Sequence, residues 1–79
     1  MSEKDYDKLR EIIAQILSVE RTEIINNYDL IAAGLTSITF VELIITIESA
    51  FSFHFNDKDL DIFKLKTVDK LIEYIDINR

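Results

Sequence analysis

The chain has no cysteine, no proline and no tryptophan, and only one glycine among its 79 residues. Without cysteine there is no disulfide staple and no thiolate metal site. Proline and glycine are the main residues of tight turns, so their scarcity argues against a hairpin-rich β fold and favours helices joined by polar loops. Basic residues are short as well: nine Lys and Arg against fifteen Asp and Glu give a net charge of −6. That balance argues against nucleic acid as the main partner, since phosphate neutralisation needs Lys and Arg. It suits a partner with a basic face. No apolar run approaches the roughly 18–20 residues of a membrane span. The N-terminus, MSEKDYDKLR, lacks the apolar core of a signal peptide. These absences lead to the expectation of a soluble, cytoplasmic monomer.

Apolar residues make up 48% of the chain, fourteen of them Ile, beside 30% charged residues. That composition folds, and the length allows one domain over residues 1–79. The charge is uneven. Residues 20–61 hold eight acids (Glu20, Glu23, Asp29, Glu42, Glu48, Asp57, Asp59, Asp61) and two bases (Arg21, Lys58), and in the two ends seven acids cancel seven bases. The whole net charge therefore belongs to the middle of the chain.

Periodicity predicts an all-α fold, a small bundle of three main helices and one short one. Tyr6, Leu9, Ile12, Ile13, Ile16 and Leu17 mark one face of a helix from Glu3 to Ser18, with Ser2 as N-cap. A long connection follows from Val19 to Thr36, pinned by Ile24, Ile25, Tyr28, Leu30 and Ile31; connections of this length tend to be functional. A second helix starts at Ser37 and ends near Phe51. Phe53 and Phe55 then alternate with polar residues as a short extended bridge. A short helix is expected over 57–63 and a last one over 67–77, capped by Thr67 with Val68, Leu71, Ile72 and Ile75 inward.

On a wheel of about 100° per residue the second helix carries two apolar stripes. Phe40, Leu43, Ile44, Ile47 and Phe51 form a core stripe. Ile38, Val41 and Ile45 lie on another side, flanked by Glu42 and Glu48. The second stripe is either more core, under a helix packed on several sides, or a docking surface with carboxylates for register.

Ser37 stands at the N-terminus of that helix, three residues after Gly34. Unpaired N–H groups and the positive end of the dipole stabilise a phosphate there. Gly34 permits positive φ and a close backbone approach. The plain alternative makes Ser37 an ordinary N-cap.

The stretch Gly34-Leu35-Thr36-Ser37-Ile38, followed by Phe40-Val41-Glu42-Leu43, resembles the acyl, aryl and peptidyl carrier proteins. Asp29-Leu30-Ile31 upstream, Glu48 and Phe51, Asp57-Lys58-Asp59-Leu60, and Thr67 through Ile75 extend the resemblance over nearly the whole chain. The resemblance implies an acyl-carrier-protein-like bundle and a carrier that is not itself an enzyme. A phosphopantetheinyl transferase, using coenzyme A and Mg²⁺, would attach 4′-phosphopantetheine to Ser37, with Gly34, Leu35 and Thr36 forming the attachment motif. Acyl or aminoacyl groups would ride on the arm as thioesters, loaded by a ligase and passed to condensing or acyl-processing enzymes. Ile38, Val41, Glu42, Ile45 and Glu48 would face those partners. Many members have Asp where this chain has Thr36, which tilts the expectation toward a specialised pathway over housekeeping fatty-acid synthesis.

Other constellations fare worse. A Ser37–His54–Asp hydrolase lacks the second Gly of a nucleophile elbow, since Thr39 occupies that place. Asp57, Asp59 and Asp61 mimic a calcium loop, but Ile62 and Val68 stand where Gly and Glu are needed, so no metal is expected. A non-catalytic acidic interaction module, with Ser37 only a helix cap, is the alternative that charge and stripe also fit.

Overall fold

The computed structural model describes residues 2–78. Three helices carry the fold: α1 (Glu3–Leu17), α2 (Ser37–Phe51) and α3 (Val68–Asn78), with single 3-10 turns at Arg21–Glu23 and Asp57–Asp59. The described residues contain no strand. The all-α bundle predicted from periodicity is the architecture found.

Helix α1 starts at a capping box in which Ser2 and Asp5 satisfy each other's backbone N–H groups. It ends at Ser18, and α2 ends at Ser52, both in the left-handed conformation. Glycine usually takes this position, so the chain's single glycine is partly explained by two serines accepting a costlier backbone.

Helix α1 packs against both α2 and α3. Its Leu9, Ile13 and Ala14 meet the buried stripes Phe40, Leu43, Ile44, Ile47, Phe51 and Val68, Leu71, Ile72, Ile75 in one core. The predicted inward faces of α2 and α3 are thus the observed ones. Thr67 caps α3, its Oγ1 accepting from the Lys70 N–H at 3.1 Å.

Two expectations change. The short helix over 57–63 is one 3-10 turn followed by a separate turn. Its polar side chains compete with helical bonding: Asn56 accepts from the Lys58 N–H, and Asp61 Oδ1 accepts from the Phe63 N–H at 2.9 Å. Within the long connection, Ile24 and Leu30 are buried as expected, but Ile25 is exposed.

The segment after α2 forms no strand pairing, yet its alternation holds. Phe53 and Phe55 point inward and His54 outward. The rings of Phe53 and Phe55 meet edge-on at 5.0 Å, and Phe55 stacks on Tyr74 of α3 at 5.1 Å. The Tyr74 hydroxyl donates to Asp59 Oδ2 at 2.7 Å and accepts from the Asn56 N–H at 3.2 Å. Burial, and then the bond to Asp59, push its pKa above the ordinary tyrosine value.

Candidate functional site

The start of α2 is delivered by the second half of the long connection. Asp29 Oδ1 accepts from the N–H groups of Ile31 at 2.9 Å and Ala32 at 3.3 Å, a local turn that any Asp in this setting can form. Desolvation works to raise the Asp29 pKa. The Ala32 N–H, the Lys66 ammonium at 3.4 Å and the Ile31 N–H outweigh it and hold the carboxyl below its ordinary value. The Leu30 N–H bonds to the Lys66 carbonyl at 2.9 Å, and the Asp69 N–H bonds to the Asn26 carbonyl at 2.9 Å, so the connection is tied to the entry of α3. The chain then turns through Gly34 at φ +111°, and Leu35 is buried.

A Cβ at Gly34 would meet open space. Of the two reasons for a glycine here, positive φ stands and close approach does not.

Thr36 is the N-cap of α2. Its Oγ1 accepts from the Thr39 N–H at 3.2 Å, and the Thr36 N–H donates to Thr39 Oγ1 at 2.8 Å, a reciprocal box. Ser37 is therefore the first helical residue, and the cap role considered for it belongs to Thr36. The physical reason is reach: a cap must precede the helix to meet its third N–H, and Ser37 already has helical backbone. Its side chain is exposed and forms no hydrogen bond among the described residues. The sequence carried a signal for this, a Thr three residues before another hydroxyl residue at a helix start.

The second stripe is not core. Ile38 is 76% exposed, Val41 55% and Ile45 60%. Glu42 lies beside them, exposed, its carboxylate without a hydrogen bond or ion pair among the described residues. Glu48 differs. Its Oε2 accepts the Phe55 N–H at 2.9 Å and lies 3.1 Å from His54 Nδ1. The carboxylate expected to face a partner also anchors the chain leaving α2, and it stays partly exposed. Ser37, Ile38, Val41, Glu42 and Ile45 are thus brought together on one exposed face, and Glu48, near the C-terminal end of the helix, is half-buried and bonded to the Phe55 N–H.

No group of three or more potential metal ligands occurs among the described residues. No helix among them is long and apolar enough to cross a membrane.

This helix N-terminus fits a phosphate ester. The hydroxyl of Ser37 is accessible, and the positive end of a 15-residue helix lies beneath it.

Residues 7–75 match the family described as phosphopantetheine attachment site. Relatives named acyl carrier protein include one from Clostridium perfringens (strain 13 / Type A), 41% identical over 89% of this chain and 91% of its own length. Another is from Buchnera aphidicola subsp. Schizaphis graminum, 38% identical over 86% of this chain and 85% of its own. A third, from Coprothermobacter proteolyticus, is 32% identical over 96% of this chain and 92% of its own. Membership implies a covalently attached 4′-phosphopantetheine and a carrying role without catalysis. On that match and on the three-helix fold, the chain belongs to the phosphopantetheine-attachment family, that of the acyl carrier proteins.

Proposed function

We propose that Ser37 bears the 4′-phosphopantetheine arm and that residues 1–79 form a single carrier domain. The arm's thiol holds acyl or aminoacyl groups as thioesters, and α2 presents them to the enzymes of a specialised biosynthetic pathway in the cytoplasm. Acyl cargo is the class that the relatives' names carry. The observation that carries this reading is the division of labour at the start of α2. Thr36 and Thr39 complete the cap, which leaves the Ser37 hydroxyl exposed and uncommitted. An acidic interaction module that used Ser37 only as a cap has no support from this geometry.

The partners are a phosphopantetheinyl transferase that takes the arm from coenzyme A, a ligase that loads it, and acyl-processing or condensing enzymes. A specialised pathway is supported by Thr36, neutral where many members have Asp, and by Glu42 as the one exposed acid of α2.

Intact-mass spectrometry after incubation with a promiscuous transferase, coenzyme A and Mg²⁺ tests the reading. The wild type gains one arm and Ser37→Ala gains none; no gain in the wild type, or an equal gain in Ser37→Ala, sinks it. Thr36→Asp improves loading by a fatty-acid-type transferase if the missing charge is what restricts it. Equal loading removes the support drawn from Thr36.

A further inference from the structure

Of the five phenylalanines four are buried, and Phe63 is 71% exposed. The turn that carries it is well bonded. Asp61 Oδ1 accepts from the Phe63 N–H at 2.9 Å, the Asp61 carbonyl accepts from the Lys64 and Leu65 N–H groups at 3.0 Å each, and Leu65 is buried. Phe63 lines a groove of about 720 Å³ between the 57–67 segment and α3, and Ile77, 74% exposed, lines it from the α3 side. Two large apolar side chains in one groove form a patch, which marks a contact surface where single exposed residues do not.

The groove is neutral in an acidic chain. Four Lys and four Asp or Glu line it, so the net charge of −6 lies wholly outside it. Its free charges are sorted by side. On the 57–67 segment, Asp59 accepts from Tyr74, Asp61 from the Phe63 N–H, and Lys66 meets Asp29. Lys58 and Lys64 are left exposed, their ammonium groups without a hydrogen bond or ion pair among the described residues. On α3 the side chains of Asp69, Lys70 and Glu73 are exposed and equally unpaired, two acids against one base. One side is basic and the other acidic, and they form no ion pair with each other.

We infer that a second copy of this chain occupies the groove, related by a twofold axis that sets Lys58 and Lys64 of each copy against Asp69 and Glu73 of the other, and Phe63 against Ile77. A surface with one basic and one acidic side complements its own rotated copy, because each contact is made twice. Elsewhere on the chain the net negative charge resists association of two copies. No residue from 30 to 51 lines the groove, so pairing there leaves both Ser37 hydroxyls open. The inference replaces the expected monomer and stands apart from the carrier reading. An interface confined to one groove is at the small end of the range, so the pair is weak, with Kd near roughly 100 µM.

Sedimentation equilibrium on the whole chain, from about 10 µM to about 1 mM, tests this. The mean mass rises with concentration from that of one chain, 9.2 kDa, toward twice that value. Phe63→Asp and Ile77→Asp each raise Kd by about tenfold or more while circular dichroism shows helix content unchanged. Lys64→Glu and Glu73→Lys each raise Kd by about threefold to tenfold on their own, because like charges then face each other twice. An equimolar mixture of those two variants restores opposite charges at both contacts and returns to within about twofold of the wild-type Kd. Ser37→Ala and Ile45→Asp, both outside the groove, dimerise as the wild type does. A mass of one chain at every concentration overturns the inference and gives the groove to some other occupant. A dimer that survives both Phe63→Asp and Ile77→Asp, or that Ile45→Asp abolishes, overturns it as well. The carrier reading is untouched by these outcomes, since the mass gain at Ser37 tests it separately.

Discussion

The cap at the N-terminus of α2 is made by residues three positions apart in the chain; its C-terminus is held by residues up to 42 positions apart. The N-terminal end rests on the Thr36–Thr39 box and the turn built by Asp29. The C-terminal end has no basic residue of its own in its last turn. Lys8 of α1 supplies the charge, donating to the Ala50 carbonyl and lying 4.8 Å from the centre of the Phe51 ring. Glu48 then fastens the exit of the helix to Phe55, whose ring is buried against Tyr74.

The difference follows from what each end does. An end that must leave a hydroxyl open cannot be buried, so it is stabilised by its own neighbours in sequence. An end with no such demand is sunk into the core. One helix is thereby anchored at one end and presented at the other.

The largest test of this contrast is Phe55→Ala, expected to cost about 3–5 kcal/mol in urea unfolding because it opens a cavity at the anchored end. A loss smaller than that of any N-terminal substitution would break the comparison. Next is Glu48→Ala, which leaves the Phe55 N–H without its acceptor and costs roughly 1–3 kcal/mol. Glu48→Gln keeps an acceptor and recovers most of that stability in the same measurement.

At the presented end the effects are smaller. Thr36→Ala removes the cap and costs about 1 kcal/mol. Ser37→Ala stays within about 0.5 kcal/mol of wild type, since its side chain holds nothing. Equal losses from the two would mean that Ser37 shares the cap.

The smallest effect is the pH response of Asp29. Its pKa is lowered in the folded state, so the stability it contributes is complete above the ordinary carboxylate value of 3.8. That contribution is lost as pH falls through the lower folded value. The protection factors of the Ile31 and Ala32 amides, taken against the intrinsic exchange rate at each pH, therefore fall below about pH 4. Asp29→Asn, whose Oδ1 still accepts both N–H groups, removes that acid dependence.

Much of this protein is legible in its sequence where contacts are local. Phe40, Leu43, Ile44, Ile47 and Phe51 announce the buried face of α2 because helical periodicity fixes which side chains share a side. Gly34 announces the turn and Ser37 the helix start because positive φ and a helix start are decided within a few residues, while the cap at Thr36 is what leaves the Ser37 hydroxyl open. The short helix over 57–63 was not legible. Its acids read equally as helix-start residues and as turn formers, and the Tyr74 hydroxyl that binds Asp59 lies 15 residues away. Ile25 reads as a core residue by type, and only its place in the folded loop leaves it exposed.

The two glutamates of α2 mark the boundary most sharply. They are alike in chemistry and six positions apart on one helix. The sequence by itself determined the three main helices, their inward faces and a hydroxyl after the only glycine, because those follow from interactions over three or four residues. Tertiary structure alone decided that Glu42 stays free while Glu48 holds Phe55, because a carboxylate's role depends on which backbone N–H the fold brings within about 3 Å of it.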